Sequence, residues 1–115
     1  MFKVNGTDIT LTRGDTLVAE IGIRRNDEPY TPVAEDSIRF ALKHSTMNAD
    51  HSEFTDEQPL IRKEIPYDTM ILKLDPADTK PYGFGRYRYD IEITFEDGTV
   101  DTFIKGFFTL TEEVD

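Results

Sequence analysis

The clearest pattern of hydrophobic and polar positions lies in the C-terminal third of the chain, between residues 85 and 95. Side chains alternate there between apolar or aromatic and polar, and the apolar set is Tyr87, Tyr89, Ile91, Ile93 and Phe95. A period of two over this length predicts a β-strand with one buried face and one solvent-exposed face. Asp97 and Gly98 follow, and this dipeptide favours the positive φ angles of a tight hairpin turn. Residues 100–110 are therefore expected to return as the partner strand.

Shorter segments upstream show the same alternation and are separated by turn residues. Strands are predicted over residues 2–4, 9–11, 16–23, 37–43, 60–65 and 69–74. A loop is predicted over residues 24–32, with Tyr30 packing over one end of the core. A single helical turn is expected to begin at Pro76, with Asp75 as its N-cap. This series of about seven short strands is typical of an all-β, antiparallel β-sandwich, with a small barrel as the alternative.

The strand that begins near residue 85 also suggests a tyrosine corner, in which a tyrosine hydroxyl bonds to backbone a few residues upstream. Tyr87 and Tyr89 are the candidates, and Asp78-Thr79 lies where the upstream turn is expected. The alternative is that both tyrosines only fill the core.

Length and charge narrow the class of protein. The chain has 115 residues, which fits one domain over residues 1–115. Thirteen basic against twenty-three acidic residues give a formal net charge of −10. This balance argues against a nucleic-acid partner and against an anionic membrane surface, because both are bound through cationic side chains. No signal peptide and no membrane-spanning stretch of about 20 apolar residues is recognisable, so a soluble chain is expected.

Candidate catalytic and metal-binding residues are few. The chain has no cysteine. His44 and His51 flank an acidic segment over residues 44–58, but their spacing matches no metal motif, so surface histidines are expected and no metal or cofactor. The serines lie in no nucleophile elbow, and no glycine-rich phosphate loop is present, so no enzyme is expected. Arg13-Gly14-Asp15 spells an integrin-binding tripeptide, yet a structural bend before a core strand is the expected role.

Two pairs of aromatic residues are the candidates for contact with a partner. Tyr82 and Phe84 alternate with Gly83 and Gly85 in a predicted loop, where they either stack on a sugar or a partner, or cover an open end of the sandwich. Phe103 and Phe107 face outward if the last strand alternates regularly, which would form an exposed patch. A bulge at Gly106 would instead bring Phe107 inside.

Several short motifs carry a resemblance to a known family. They are Thr10 to Thr16, Leu72 to Thr79, Gly85-x-Tyr87-x-Tyr89-Asp90-Ile91, Asp97-Gly98 and Gly106-x-Phe108. Together they resemble the immunoglobulin-like (Ig-like) β-sandwich domains of phage and prophage structural proteins, notably the N-terminal domains of baseplate upper proteins and related tail components. The segment over residues 44–58 is longer and more acidic than this resemblance implies.

The resemblance implies an Ig-like fold and a non-catalytic assembly role in a phage or prophage tail or baseplate. The expected partners are other phage structural proteins or further copies of the chain, in a homo-oligomer or larger assembly. The contacts are expected at strand edges and at Phe103 and Phe107, in a virion component made in the bacterial cytoplasm. The alternative is a cell-surface or secreted adhesion or carbohydrate-binding domain that uses Tyr82 and Phe84.

Overall fold

The computed structural model describes residues 2–25, 27–44 and 59–112, and most of their backbone is extended, which confirms the all-β class. In chain order the elements are β1 (Phe2–Asn5), β2 (Asp8–Thr12), β3 (Leu17–Glu20), β4 (Ile23–Arg25), β5 (Glu28–Tyr30), β6 (Ser37–His44), β7 (Ile61–Glu64), β8 (Ile71–Leu74), α1 (Pro76–Thr79), β9 (Gly85–Thr94) and β10 (Val100–Thr111). Within these described ranges, no helix is long and apolar enough to cross a membrane.

The large sheet has six strands in the order β1-β2-β10-β9-β6-β7. Neighbouring strands are antiparallel, except β2 and β10, which run parallel. Two further antiparallel pairs are separate from this sheet, one formed by β3 and β8 and the other by β4 and β5. The two strands with the clearest sequence pattern, β9 and β10, thus lie in the middle of the large sheet.

Two sequence predictions for the first half of the chain are wrong in detail. The strand predicted over residues 16–23 is divided at Gly22 into β3 and β4, because glycine packs no side chain and weakens a strand. The loop predicted over residues 24–32 contains the β4–β5 hairpin, whose turn holds Asp27 at a φ of 64°. The described part of the chain therefore forms ten strands rather than about seven.

One hydrophobic core joins the large sheet to the β3–β8 pair. Its buried members from both sheets include Leu11, Leu17, Phe40, Leu42, Leu72, Leu74, Tyr87, Tyr89, Ile91, Ile93, Phe108 and Leu110. The inward positions predicted for β9 are therefore confirmed. Phe40 lies near the centre, with its ring centroid 5.5 Å from that of Tyr89 and 6.0 Å from that of Phe108.

The helical turn predicted at Pro76 is confirmed and ties the two sheets together at one end. The backbone N–H of Asp75 donates to the Asp78 carboxylate at 2.7 Å. The buried hydroxyl oxygen of Thr79 accepts a hydrogen bond from the Gly14 N–H at 2.9 Å. Gly14 has a φ of 86°, a value that favours glycine, so the predicted bend before β3 is present.

Candidate interaction surface

Two exposed phenylalanines, each covered by an arginine, lie at one corner of the large sheet. Phe84 is 51% exposed and Phe107 is 40% exposed. The Arg13 guanidinium carbon lies 4.6 Å from the centroid of the Phe84 ring, and that of Arg86 lies 4.0 Å from the centroid of the Phe107 ring. We call Arg13, Phe84, Arg86 and Phe107 the Arg–Phe corner.

Strand alternation explains why these side chains point outward. On β9 the odd-numbered residues are buried, so Arg86 points away from the core. On β10 Phe108 and Leu110 are buried, which leaves Phe107 on the outer face. The chain after β2 brings Arg13 to the same corner, because its N–H donates to the Thr111 carbonyl at 3.1 Å.

Phe103 and Phe107 do not form the single outward patch that regular alternation predicts. The register of β10 against β9 shifts between Thr102 and Ile104, so the irregularity lies at Phe103 and not at Gly106. Phe103 is half-buried and packs against the core. Phe107, beyond the shift, stays exposed. The suggestion that a bulge at Gly106 brings Phe107 inside is therefore wrong.

Tyr82 and Phe84 are close in sequence but have different environments. Tyr82 is half-buried, packs against the core, and donates its hydroxyl proton to the Leu60 carbonyl oxygen. Tyr82 therefore covers the end of the core, which is one of the two roles considered for it. Phe84 remains exposed, with the Arg13 guanidinium over its ring. Arg13 also donates a hydrogen bond from Nη1 to the Tyr82 carbonyl at 3.3 Å.

The outer face of the large sheet around the corner is cationic, although the whole chain is acidic. Its cations are Arg39, Lys43, Arg62, Arg86, Arg88 and Lys105, and its acids are Asp8, Glu64, Asp90 and Glu92. Arg39 and Glu92 form an ion pair of 2.7 Å across β6 and β9. A guanidinium stacked on a phenyl ring keeps its positive charge, so the corner combines apolar area with cationic charge that attracts carboxylates. Arginine and aromatic residues are enriched at protein interfaces.

A groove of about 500 Å³ lies at the opposite end of β9. It is lined by Arg25, Tyr30, Asp36, Phe95, Glu96 and Asp97, among others, and we call it the acidic groove. Arg25 lies over Phe95, with its guanidinium carbon 4.0 Å from the ring centroid. The sequence predicts a packing role for Tyr30, whereas the groove is visible only in the folded chain, because its lining comes from three separate segments.

Hydrogen bonds hold the wall of this groove. The buried Asp36 carboxylate accepts from the Tyr30 hydroxyl at 2.6 Å and from the Val33 N–H at 3.0 Å. The hydrogen bond to Asp36 raises the pKa of Tyr30, because the neutral phenol is the donor. Beside it, hydrogen bonds from Thr99 lower the pKa of Asp97, since they stabilise the carboxylate.

The histidine candidates have no described metal environment. His44 ends β6 and is exposed, with its ring centroid 6.0 Å from that of Tyr87. His51 and the neighbouring acidic residues lie outside the described residues. Within the ranges that the structure describes, no group of three or more histidines, cysteines and acids could hold a metal ion.

Comparison with known proteins leaves the geometry as the main guide to function. The chain matches no model of a protein family, no curated protein and no solved structure. The Arg–Phe corner and the acidic groove are therefore interpreted from their own chemistry.

Proposed function

We propose that the chain is a non-catalytic assembly module of a phage or prophage tail or baseplate, which docks onto protein partners through the Arg–Phe corner. The observation that carries the proposal is the exposure of Phe84, just before β9, and of Phe107 on β10, each beneath an arginine. Water must be removed from both rings when a partner covers them, which favours binding, and the arginines supply directional hydrogen bonds. The phage setting rests on the motif resemblance.

The finer fold in this proposal is an Ig-like sandwich. In such domains the second and fifth canonical strands share one sheet, while the third, sixth and seventh form the other. The pairing of β3 with β8, opposite a sheet that contains β6, β9 and β10, fits that arrangement. Support also comes from Tyr87, near the start of β9, whose hydroxyl donates to the Gly83 carbonyl at 2.7 Å. A bond to backbone a few residues upstream is the one expected of a tyrosine corner, although it reaches Gly83 and not the expected turn at Asp78-Thr79.

Replacing Tyr87 by phenylalanine tests the contribution of this hydrogen bond. Because the change removes only the hydroxyl and leaves the Gly83 carbonyl without this donor, we expect the unfolding free energy to fall by about 1–2 kcal/mol. Urea unfolding followed by circular dichroism measures the change. Tyr67→Phe is the control, since Tyr67 is 42% exposed and should change stability little. Equal effects of the two substitutions would argue against a tyrosine corner.

In the described part of the chain, the side chains whose pKa is shifted owe that shift to structural contacts, which supports a non-catalytic role. The pKa of Tyr89 is raised to about 12, first by burial and then by the negative charge of Asp8. The Tyr89 hydroxyl donates to the Thr7 carbonyl, and this hydrogen bond stabilises the neutral phenol. The shifts at Tyr30 and Asp97 likewise come from hydrogen bonds within the groove wall and the β9–β10 turn.

The carbohydrate-binding alternative has less support from the geometry. Tyr82 packs against the core, and Arg13 covers one face of the Phe84 ring, which leaves less aromatic surface for a sugar. A glycan array with hits that Phe84→Ala abolishes would restore this alternative.

Incorporation into particles tests the proposed function. We expect the chain in particles purified from the encoding bacterium after prophage induction, together with tail proteins and in fixed ratio to them. Phe107→Asp should reduce its incorporation at least about tenfold, because a carboxylate replaces a buried contact in an interface rich in hot-spot residue types. Quantitative mass spectrometry of the particles measures both results.

The control for this experiment is Val18→Asp, which changes an apolar side chain of similar exposure, 48%, on β3 of the other sheet. It should leave incorporation unchanged. Particles without the chain would contradict the phage setting. Normal incorporation of Phe107→Asp would contradict the role of the corner.

A further inference from the structure

The two ends of β9 belong to surfaces of opposite charge. At its start, Gly85 joins Phe84 to Arg86, so this end belongs to the Arg–Phe corner. At its end the chain continues into Phe95, Glu96 and Asp97 of the acidic groove. Ten residues separate the two sites, a span of roughly 30 Å at about 3.3 Å per residue.

The acidic character of the far end extends beyond the groove itself. The hairpin and turns around it bring together Asp27, Glu28, Glu35, Asp36, Glu96 and Asp97, against Arg24 and Arg25. All of these acids except Asp36 are exposed, and so are both arginines. A cationic partner surface therefore meets a favourable potential at this end.

We propose that the Arg–Phe corner of one copy docks into the acidic groove of the next, so that the chain assembles head to tail. This inference rests on the proposed assembly function and names the partner surface within it. Each copy carries one corner and one groove, and the separation along β9 leaves both free to bind at the same time. A heterologous contact of this kind builds a closed ring or an open filament.

The chemistry of the two surfaces is complementary. The groove, of about 500 Å³, has room for an aromatic side chain and already contains the rings of Tyr30 and Phe95. Around such a ring, Glu96 and Asp97 offer carboxylates to the guanidinium N–H groups of Arg86, which form short, charge-assisted hydrogen bonds.

The symmetric alternative, corner against corner, is disfavoured by the same charges. A two-fold contact would place Arg13 and Arg86 of one copy against the same arginines of the other, and like charges across an interface cost several kcal/mol. Groove against groove would oppose Glu96 and Asp97 in the same way. The mixed contact instead brings Arg13 and Arg86 of the corner towards Glu96 and Asp97 of the groove.

Sedimentation equilibrium of two single variants and their mixture tests the arrangement. Arg86→Ala weakens the corner and leaves the groove intact, whereas Glu96→Lys reverses a groove charge and leaves the corner intact. We expect each variant alone to associate at least about tenfold more weakly than the unaltered chain. Mixed in equal amounts, they should form a one-to-one dimer with the unaltered affinity, because one intact corner then meets one intact groove. Nothing larger should form, since the remaining corner and groove are both altered.

Two controls and one independent measurement accompany this experiment. Lys73→Ala, on β8 of the other sheet, and Asp68→Lys change exposed charged residues that belong to neither surface, and both variants should associate as the unaltered chain does. Circular dichroism verifies that each variant folds. For the unaltered chain, raising NaCl from about 0.05 M to about 0.5 M should weaken association, because salt screens the charge pairs.

Results other than those expected would overturn the head-to-tail arrangement. A monomeric unaltered chain at high concentration would do so, as would association that neither variant weakens. Weakening by Arg86→Ala alone would indicate corner against corner, and weakening by Glu96→Lys alone would indicate groove against groove. Two weak variants whose mixture stays weak would also contradict the head-to-tail contact. None of these results bears on whether the chain is incorporated into particles, so the proposed assembly function is judged separately.

Discussion

Replacing Phe40 by alanine is expected to lower the unfolding free energy by about 3–5 kcal/mol, the cost of emptying a large aromatic site in a packed core. Phe40 is fully buried on β6, between β9 and β7, and its ring packs near those of Tyr89 and Phe108. Neighbouring β-strands restrict how far the backbone can close the cavity. Most of the lost packing energy should therefore appear as a decrease in the unfolding free energy. Chemical unfolding monitored by circular dichroism gives the free energy.

Phe84→Ala is the matched control, because it removes the same side chain from a site that is 51% exposed. Its effect should stay within about 1 kcal/mol, since most of the ring already contacts water. A domain of this size has an unfolding free energy of about 5–15 kcal/mol, so Phe40→Ala alone should move the transition to much lower denaturant. Similar effects at the two positions would mean that Phe40 does not lie in the core.

Replacing Gly106 by alanine is expected to cost about 3 kcal/mol, because there is no room for a methyl group at this point of β10. A Cβ atom there would lie 2.9 Å from the Thr7 carbonyl carbon and would overlap its oxygen. That oxygen also accepts the hydrogen bond from Tyr89, so moving the Thr7 backbone aside weakens a second interaction. Thermal and urea unfolding of the variant would measure the loss.

Gly22→Ala serves as the comparison for Gly106→Ala. Nothing lies within 4 Å of a Cβ atom at Gly22. The substitution should therefore be close to neutral or slightly stabilising, as expected when alanine restricts the unfolded chain. If Gly106→Ala were as well tolerated as Gly22→Ala, β10 would not pack closely against the turn that precedes β2.

The Arg–Phe corner could be predicted only in part. Alternation along the chain leads directly to an outward Phe107, and glycines on both sides of Phe84 indicate a loop. The arginines that cover these rings could not be assigned in the same way. Arg13 reaches Phe84 only because β2 pairs with β10, a parallel contact between distant segments. Phe103 was misassigned as outward because a shift of one residue in register reverses the face that a side chain occupies.

The acidic groove was missed for a related reason. Its lining residues lie in the β4–β5 hairpin, in the segment before β6 and in the turn after β9. Each of these segments taken alone is an ordinary polar turn. Asp36 shows the difficulty most clearly, since its burial and its hydrogen bond to Tyr30 depend on how two separate turns pack together.

The amino-acid sequence by itself determined the local features: which residues of β6, β8 and β9 face the core, where α1 begins, and where glycine allows the chain to turn. Periodicity and turn chemistry involve neighbours two to four residues apart, so a single segment contains the whole signal. The tertiary structure alone decided the order of strands in the large sheet, the parallel pairing of β2 with β10 and the register shift at Phe103. These depend on contacts between segments that lie far apart in the chain, where no local pattern selects the partner. The corner and the groove consist of such contacts, and for that reason the surfaces proposed to join one copy to the next became visible only in the folded chain.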